Sequence, residues 1–495
     1  MVKRNLIANF AGALWSTALS LLLVPFYLRR IGIEAYGLVA FFVSLQGLLA
    51  MLDLGIGSTF NRELARFGHA AENGEASGIA AALQRLYWLA SLIIGALVFL
   101  AARYLSTSWF NAHHLSSEAI EQSVMLMALI AAAQFPFAFY GNGLLGMQRH
   151  VAYAAAVILG ATARAVGAIV VLSWISATSQ ALFAALLAGT VAQTAFSAWS
   201  FWRAVPPKKE RVALMPLLRS YWRFAAGMTG INVCAALLTQ MDKIVLSRTL
   251  PLTQFGIYSL AAGLASGLSL LAMPFFTTMF PRLARLVVEA DDARLISAYH
   301  RACQTLAVVV VPAALILICF ARDLIRAWTG DAAIAAQAAP IVAFIAAGFA
   351  LNALVSVPYA LQLAYGWTRL TLIANIVAVA ILVPVTIVVS VRYGGVGAAV
   401  VWLVLNACYV IIYAQIMYSR LLPREKWSWY LHDLAVPAAA ALCVAWPVSA
   451  FLPATMTRPL IVVLVGATAA LTMAAAALAT REPRAMLLAL LRKAA

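Results

Sequence analysis

The first long apolar stretch, LIANFAGALWSTALSLLLVPFYL at Leu6–Leu28, contains no charged side chain. A helix needs about 20 apolar residues to cross a bilayer, so this stretch predicts a membrane-spanning helix. Lys3 and Arg4 precede it, as basic residues precede the apolar part of a signal peptide. The run is too long for that role, and no A-x-A-like cleavage site follows it. We therefore interpret it as the first span.

Similar apolar runs recur along the whole chain. Of its 495 residues, 64% are hydrophobic and 10% are charged, too much apolar surface for a soluble core and therefore for a soluble enzyme. Spans of this length must be helical, because lipid offers no partner to an open backbone. We predict an all-α polytopic membrane protein with about 14 transmembrane helices. Twelve or thirteen helices remain open, because the fifth and sixth spans, and the last two, are poorly separated. The predicted spans are 6–28, 36–60, 82–103, 122–145, 151–175, 181–202, 224–248, 255–280, 302–321, 339–364, 370–391, 396–418, 434–452 and 459–480.

The basic residues predict the orientation. The formal net charge is +17, and most Lys and Arg residues lie in every second connection between spans. The positive-inside rule explains this pattern better than nucleic-acid binding does, and it places both termini in the cytoplasm. We therefore expect a multi-pass protein of the bacterial cytoplasmic (inner) membrane, with no nucleic-acid partner.

An internal repeat predicts the domain organisation. The segment Tyr36–Phe67 aligns without gaps on Phe255–Leu286, and both copies carry the tripeptide Leu-Ala-Arg near one helix end. This favours two six-helix lobes related by an axis along the membrane normal, although chance similarity of two helix ends remains an alternative. The predicted domains are an N-terminal lobe at 1–203, a cytoplasmic linker at 204–222, a C-terminal lobe at 223–419, and two additional helices with a cytoplasmic tail at 420–495.

Four charged residues fall inside predicted spans and away from their ends: Asp53, Arg164, Asp242 and Lys243. A charge at the bilayer centre costs about 3 kcal/mol on insertion scales, so such residues face a bundle interior or a wet cavity. All four are therefore candidates for function, either as cationic substrate contacts or as acidic groups for ion coupling or charge pairing.

Arg164 is the deepest of these charges, roughly 18 Å into the fifth span at 1.5 Å per residue. Gly160 and Gly167 flank it at helical spacing and leave room around the guanidinium. Two interpretations stay open: an anion site in the middle of the membrane, or an interhelical ion pair with Asp242 or Asp53.

Polar residues at helical spacing extend the candidate site. The seventh span carries a stripe that includes Lys243, from which Asp242 points about 100° away, towards a neighbour or a cation. Lys243 lies near the outer helix end, so snorkelling to the interface is the alternative for it. The second span carries a similar stripe around Asp53. The neutral members that we expect to line a polar cavity are Gln46, Asn61, Asn232 and Gln240.

Signatures of enzymes are missing from the sequence. It contains no Walker A, H-E-x-x-H, C-x-x-C or G-x-S-x-G motif, and no outer loop is long enough for a catalytic domain. The five cysteines show no motif spacing, and the pair His113–His114 has no nearby cysteine. We predict that the protein is not an enzyme and has no catalytic residue, bound metal or cofactor.

Three motifs resemble a known family. They are N-x-x-x-N-F-x-G at Asn5–Gly12, FYLRRIGIEAYGLVAFFVSLQGLLAMLDLGIGSTFNRELAR at Phe26–Arg66, and QMDKIVLSRTLPLTQFGIYSLA at Gln240–Ala261. With the GMQRH turn at Gly146–His150, they are similar to the polysaccharide transporter family. This family contains the O-antigen type oligosaccharide flippases of the multidrug/oligosaccharidyl-lipid/polysaccharide (MOP) exporter superfamily.

The resemblance implies a MATE-like fold, with two six-helix lobes around a cationic central cavity and two extra C-terminal helices. It also implies transfer of undecaprenyl-diphosphate-linked oligosaccharide from the cytoplasmic to the periplasmic leaflet, for surface polysaccharide such as lipopolysaccharide O-antigen. A polysaccharide polymerase complex is a further possible partner.

Our hypothesis for the mechanism assigns the diphosphate to Arg164 and Lys243. Arg62 and Arg29, at the inner and outer helix ends, would receive and release it. The membrane potential, or protons or sodium acting through Asp53 or Asp242, would drive the step. A cation-coupled multidrug (MATE-type) exporter is the alternative function, and a glycan polymerase or ligase is the third class.

Overall fold

The structure is a computed structural model that describes residues 2–67, 75–205, 233–234, 237–451 and 456–486. Helices account for nearly all of these residues, and no β-strand forms among them. This confirms the predicted all-α class. In chain order the helices are α1 Val2–Leu49, α2 Ile56–Phe67, α3 Glu75–Tyr104, α4 Ser117–Gly146, α5 His150–Val170, α6 Ser179–Trp202, α7 237–249, α8 Leu252–Glu289, α9 Asp292–Cys319, α10 Ala321–Thr329, α11 Ala332–Leu354, α12 Ser356–Ala364, α13 Arg369–Cys408, α14 Ala414–Leu421, α15 Lys426–Ser428, α16 Val436–Ala450 and α17 Arg458–Ala479.

Eleven helical stretches of the described chain are long and apolar enough to cross a membrane. Two of them, Ile7–Asp53 and Arg369–Leu421, are long enough for two crossings each. Both are interrupted by a glycine with positive φ, Gly32 at 80° and Gly394 at 60°, which falls between two predicted spans. The predicted span 224–248 lies partly outside the described residues. The protein is therefore a multi-pass membrane protein, as predicted.

The second predicted span, 36–60, is not one continuous helix. After α1 the chain makes a 3₁₀ turn at Ala50–Asp53, and Leu54 and Gly55 then adopt left-handed backbone angles with φ of 50° and 72°. This conformation is disfavoured for leucine and stops the helix, so α2 begins as a separate element. The predicted single polar face through Asp53 is therefore wrong, because the residues before and after the break belong to different helices.

The first compact unit is Met1–Gly256. Helix α4 lies at its centre and packs against α2, α3 and α6, while α5 packs between α1 and α6. Aromatic rings fill the contact around α4: Phe60 stacks on Phe139 with centroids 4.8 Å apart, and Phe201 packs at an angle to both. These rings hold α2, α4 and α6 together.

The second compact unit is Ile257–Ala495. Helix α9 is central here, packing against α11, α16 and α17, and α11 packs in turn against α10 and α13. The helices on which the two additional C-terminal spans were predicted, α16 and α17, also pack against each other. Of the predicted linker 204–222, only residues 204 and 205 are described, so the predicted domain boundaries stay predictions.

A reciprocal contact in the first unit supports the internal repeat. A Cβ atom on Gly37 would lie 2.6 Å from the carbonyl oxygen of Leu252, and one on Gly256 would lie 2.6 Å from that of Ile33. Gly37 aligns with Gly256 in the repeat, and Ile33 and Leu252, just before the two copies, correspond at the same offset. Equivalent residues thus make equivalent contacts, as they do where two identical surfaces meet in a symmetric interface. Only glycine permits so close an approach.

Candidate functional site

Arg164 lies near the middle of α5 and is half-buried. Its Nη1 donates a hydrogen bond to Oε1 of Gln193 on α6 at 2.6 Å. Among the described residues, no carboxylate lies within ion-pair distance of the guanidinium, so the ion pair with Asp53 or Asp242 does not form there. A neutral amide orients the guanidinium without neutralising it, which leaves its charge available to an anion.

Glycines make room for this pair in a way that the sequence did not predict. A Cβ atom on Gly189 would lie 2.7 Å from the backbone nitrogen of Arg164, so α6 approaches α5 closely at this residue. A Cβ atom on Gly160 would lie 2.5 Å from Cδ of Gln193. Gly160 therefore accommodates Gln193 and not the guanidinium itself, whereas Gly167 makes an ordinary contact with Ala185 at 3.5 Å.

Asp53 ends the 3₁₀ turn at the helix break and is half-buried. Its carboxylate accepts a hydrogen bond from the hydroxyl of Tyr87 and another from the backbone N–H of Gly57 at 3.1 Å. The side-chain amide of Asn142 also lies close, since a Cβ atom on Gly57 would come within 2.5 Å of its Nδ2. The carboxylate thus holds the start of α2 and has a phenolic proton donor directly beside it.

Two of the predicted cavity-lining amides lie close together. Nε2 of Gln46 donates to Oε1 of Gln134 on α4. The side chain of Gln240 lies against Gly47, where a Cβ atom would come within 3.0 Å of its Nε2. All three glutamines are half-buried. Gln240 therefore packs on the residue that follows Gln46, and Gln46 itself bonds Gln134, which the sequence analysis missed.

Asp242 and Lys243 are partners of each other. Nζ of Lys243 lies 3.6 Å from Oδ1 of Asp242 and donates to the carbonyl of Thr239 at 2.9 Å. Asp242 thus pairs with a neighbour, one of the two predicted options, because the flexible lysine stem can reach the adjacent residue on the helix. Ser247, one helical turn after Lys243, is buried and accepts a hydrogen bond from Nε1 of Trp109 at 3.0 Å, so it serves packing.

No hydrogen bond or ion pair joins Arg164 to the remaining predicted residues that the structure describes. Arg29 is exposed near the end of the first half of α1, and Arg62 is exposed on α2 beside Glu63, with Nη2 and Oε1 3.1 Å apart. Asn61 is half-buried and its backbone packs closely on Gly146. Asn232 lies outside the described residues.

The loop after α3 contains a contact that sequence reasoning missed. Glu34 is only 6% exposed, and its carboxylate accepts the backbone N–H groups of His113 at 2.5 Å and His114 at 2.9 Å. Hydrogen bonds from the backbone of the histidine pair thus anchor this loop to Glu34 on α1. In the described part of the chain, no group of three or more His, Cys, Asp or Glu residues could hold a metal ion.

Comparison with known proteins identifies the family. The model of the family described as "Polysaccharide biosynthesis protein" matches residues 2–287, more than half of the chain. The chain belongs to this family. Comparison of this family member with curated proteins finds no significant match.

Solved structures give the fold. The chain is similar to the lipid II flippase MurJ in an inward closed conformation, with 12% identity, a TM-score of 0.72, and coverage of 94% of this chain and 97% of that one. It is similar to an inward-facing MATE family multidrug resistance transporter, with 14% identity, a TM-score of 0.65, and coverage of 85% and 96%. A MOP superfamily transporter from Pyrococcus furiosus shows 15% identity, a TM-score of 0.54, and coverage of 83% and 94%. The protein thus has the fold of the MOP exporters.

Proposed function

We propose that the protein is a flippase for undecaprenyl-diphosphate-linked oligosaccharide, which it moves from the cytoplasmic to the periplasmic leaflet of the bacterial inner membrane by alternating access. Both termini would lie in the cytoplasm, and the released glycan would pass to a polysaccharide polymerase. Membership of the polysaccharide biosynthesis protein family and the MOP fold support this proposal. The proposed activity is transport, with no enzymatic step and no bound cofactor.

One observation of the structure carries the proposal: Arg164 is a half-buried cation that is oriented by the amide of Gln193. A diphosphate carries about two negative charges, and burying one such charge unaided costs on the order of 20 kcal/mol in the idealised Born limit. A pre-oriented guanidinium offsets part of that cost, because its fork of donors fits two phosphate oxygens at once. Lys243, Arg62 and Arg29 would complete the path before and after this step.

The glycan needs partners of a different kind. Sugar hydroxyls both donate and accept hydrogen bonds, as a glutamine amide does. Gln46, Gln134 and Gln240 present three such amides in the first unit, close to the Gly47 backbone. They would contact the sugar while the polyprenyl tail stays in the bilayer.

The membrane potential is sufficient as a driving force. Moving two negative charges outward down an inside-negative potential of about 100 mV releases roughly 4.6 kcal/mol. Protons are a second source, and Asp53 beside the Tyr87 hydroxyl would carry them. Replacing Asp53 with Asn should therefore abolish the dependence of transport on a proton gradient while a potential-driven component persists.

The test is the leaflet distribution of the lipid-linked intermediate. In cells depleted of the protein, labelled undecaprenyl-diphosphate glycan should accumulate on the cytoplasmic side, and the intact protein should restore export. An unchanged distribution would refute a flippase. Hypersensitivity of depleted cells to organic cations with normal export would indicate a drug exporter, and export of wrongly linked polymer would indicate a membrane enzyme.

A further inference from the structure

A half-buried histidine in the second unit lies between two carboxylates. Nδ1 of His300, on α9, is 2.5 Å from Oδ2 of Asp433, and its Nε2 is 3.0 Å from Oε2 of Glu425. Asp433 is wholly buried, and its other oxygen accepts a hydrogen bond from Nε2 of Gln304 at 2.9 Å. Both acids belong to the segment that leads from α14 to α16.

With both carboxylates ionised, this geometry requires a doubly protonated ring. A neutral imidazole has one N–H group and one acceptor lone pair, so one ring nitrogen of His300 would face a carboxylate oxygen without a proton between them. The imidazolium donates to both Asp433 and Glu425 and partly neutralises them. The arrangement is therefore complete only when His300 carries its second proton.

The surrounding groups tie the same end of α9 to the last helix. Nε of Arg301 pairs with Oε2 of Glu482, just after α17, at 2.8 Å, and the backbone N–H of Glu482 donates to Oε1 of Gln304 at 3.0 Å. The other titratable groups that face this cluster are Cys303 and Tyr299 on α9 and Tyr418 on α14, whose hydroxyl bonds that of Tyr299. None of these three is charged at neutral pH, so His300, Asp433 and Glu425 carry the charge of the cluster.

The two carboxylates of the cluster differ in their access to water. The Glu425 side chain is 26% exposed, whereas that of Asp433 is 0% exposed and keeps Gln304 as a second donor. When the His300 ring loses a proton, the carboxylate that water can solvate will separate from the ring. That carboxylate is Glu425, because water replaces its lost donor at little cost, whereas water cannot reach the wholly buried Asp433 to replace the imidazolium.

We propose that His300, Asp433 and Glu425 form a proton-binding site that attaches the segment before α16 to α9, and that loss of the ring proton releases this segment at Glu425. The C-terminal helix pair thereby becomes a pH-dependent element of the protein. The inference concerns the second unit alone and does not depend on the identity of the transported substrate.

Hydrogen exchange of the full-length protein in nanodiscs tests the site. The amide of Glu425 donates to the carbonyl of Leu422 at 3.1 Å, and that of Trp429 donates to the carbonyl of Glu425 at 3.0 Å. After correction for intrinsic exchange, protection of these two amides should fall by up to about tenfold per pH unit as the pH rises from the titration of the released His300 ring to that of the ring held by its carboxylates, and should level off above it. Replacement of His300 with Gln should leave them equally and weakly protected from pH 6 to 9.

Two further variants keep the test decisive if the His300 variant does not fold. Glu425→Gln retains an acceptor for Nε2–H but removes a charge, so it should flatten the pH dependence while the protein stays folded. Glu482→Gln removes the neighbouring ion pair with Arg301, which does not involve the His300 ring, and should leave the slope intact. A flat profile for the wild-type protein, or a wild-type slope in Glu425→Gln, would overturn the proposal.

Discussion

Replacing Arg164 with Gln is the sharpest test of the site in the first unit. The substitution removes the positive charge on α5 but keeps a polar side chain of moderate length. It leaves no described carboxylate without its partner, because Arg164 pairs with none. A hydrogen bond to a charged group contributes about 1.5–3 kcal/mol. Since about 1.4 kcal/mol corresponds to a factor of ten, loss of one such bond to a diphosphate should slow transport roughly 10- to 150-fold.

The assay is the rate at which a fluorescent undecaprenyl-diphosphate glycan crosses the bilayer of proteoliposomes. Arg164→Lys keeps the charge without the planar fork and should lose less than Arg164→Gln. Gln193→Leu keeps the guanidinium but removes its acceptor at 2.6 Å, so it should reduce the rate by a smaller factor through orientation alone. If Arg164→Gln, at normal thermal stability and equal reconstitution, transports at the wild-type rate, Arg164 does not hold the diphosphate.

Two further predictions concern the architecture around the site. Gly189→Ala places a Cβ atom 2.7 Å from the backbone nitrogen of Arg164 and should cost about 1–3 kcal/mol by overpacking. Gly263→Ala, which meets nothing within 4 Å, is the matched control, and equal melting temperatures for the two variants would contradict the close approach of α5 and α6. Glu34→Gln leaves one acceptor oxygen for two backbone N–H groups and should cost about 1–3 kcal/mol. Limited proteolysis should then cut near His114 faster, and an unchanged rate would contradict the anchoring role.

Sequence patterns were sufficient where the physical signal is local. An apolar run such as Leu6–Leu28 is itself the reason for a spanning helix, because the bilayer requires that length and composition from the segment alone. The isolated charge of Arg164 stands out for the same reason. The repeat, too, was readable, and its aligned glycines Gly37 and Gly256 proved to make equivalent contacts.

Tertiary structure decided which side chains meet. The break at Leu54 places a leucine in left-handed backbone angles, which its local preference disfavours, so the sequence pattern gave no sign of it. Gln193 lies 29 residues after Arg164, and Asp433 lies 133 residues after His300. Such partners have no spacing that a linear pattern can reveal. A desolvated charge has to find its partner wherever the packed helices bring one, and that is settled only when the whole bundle has formed.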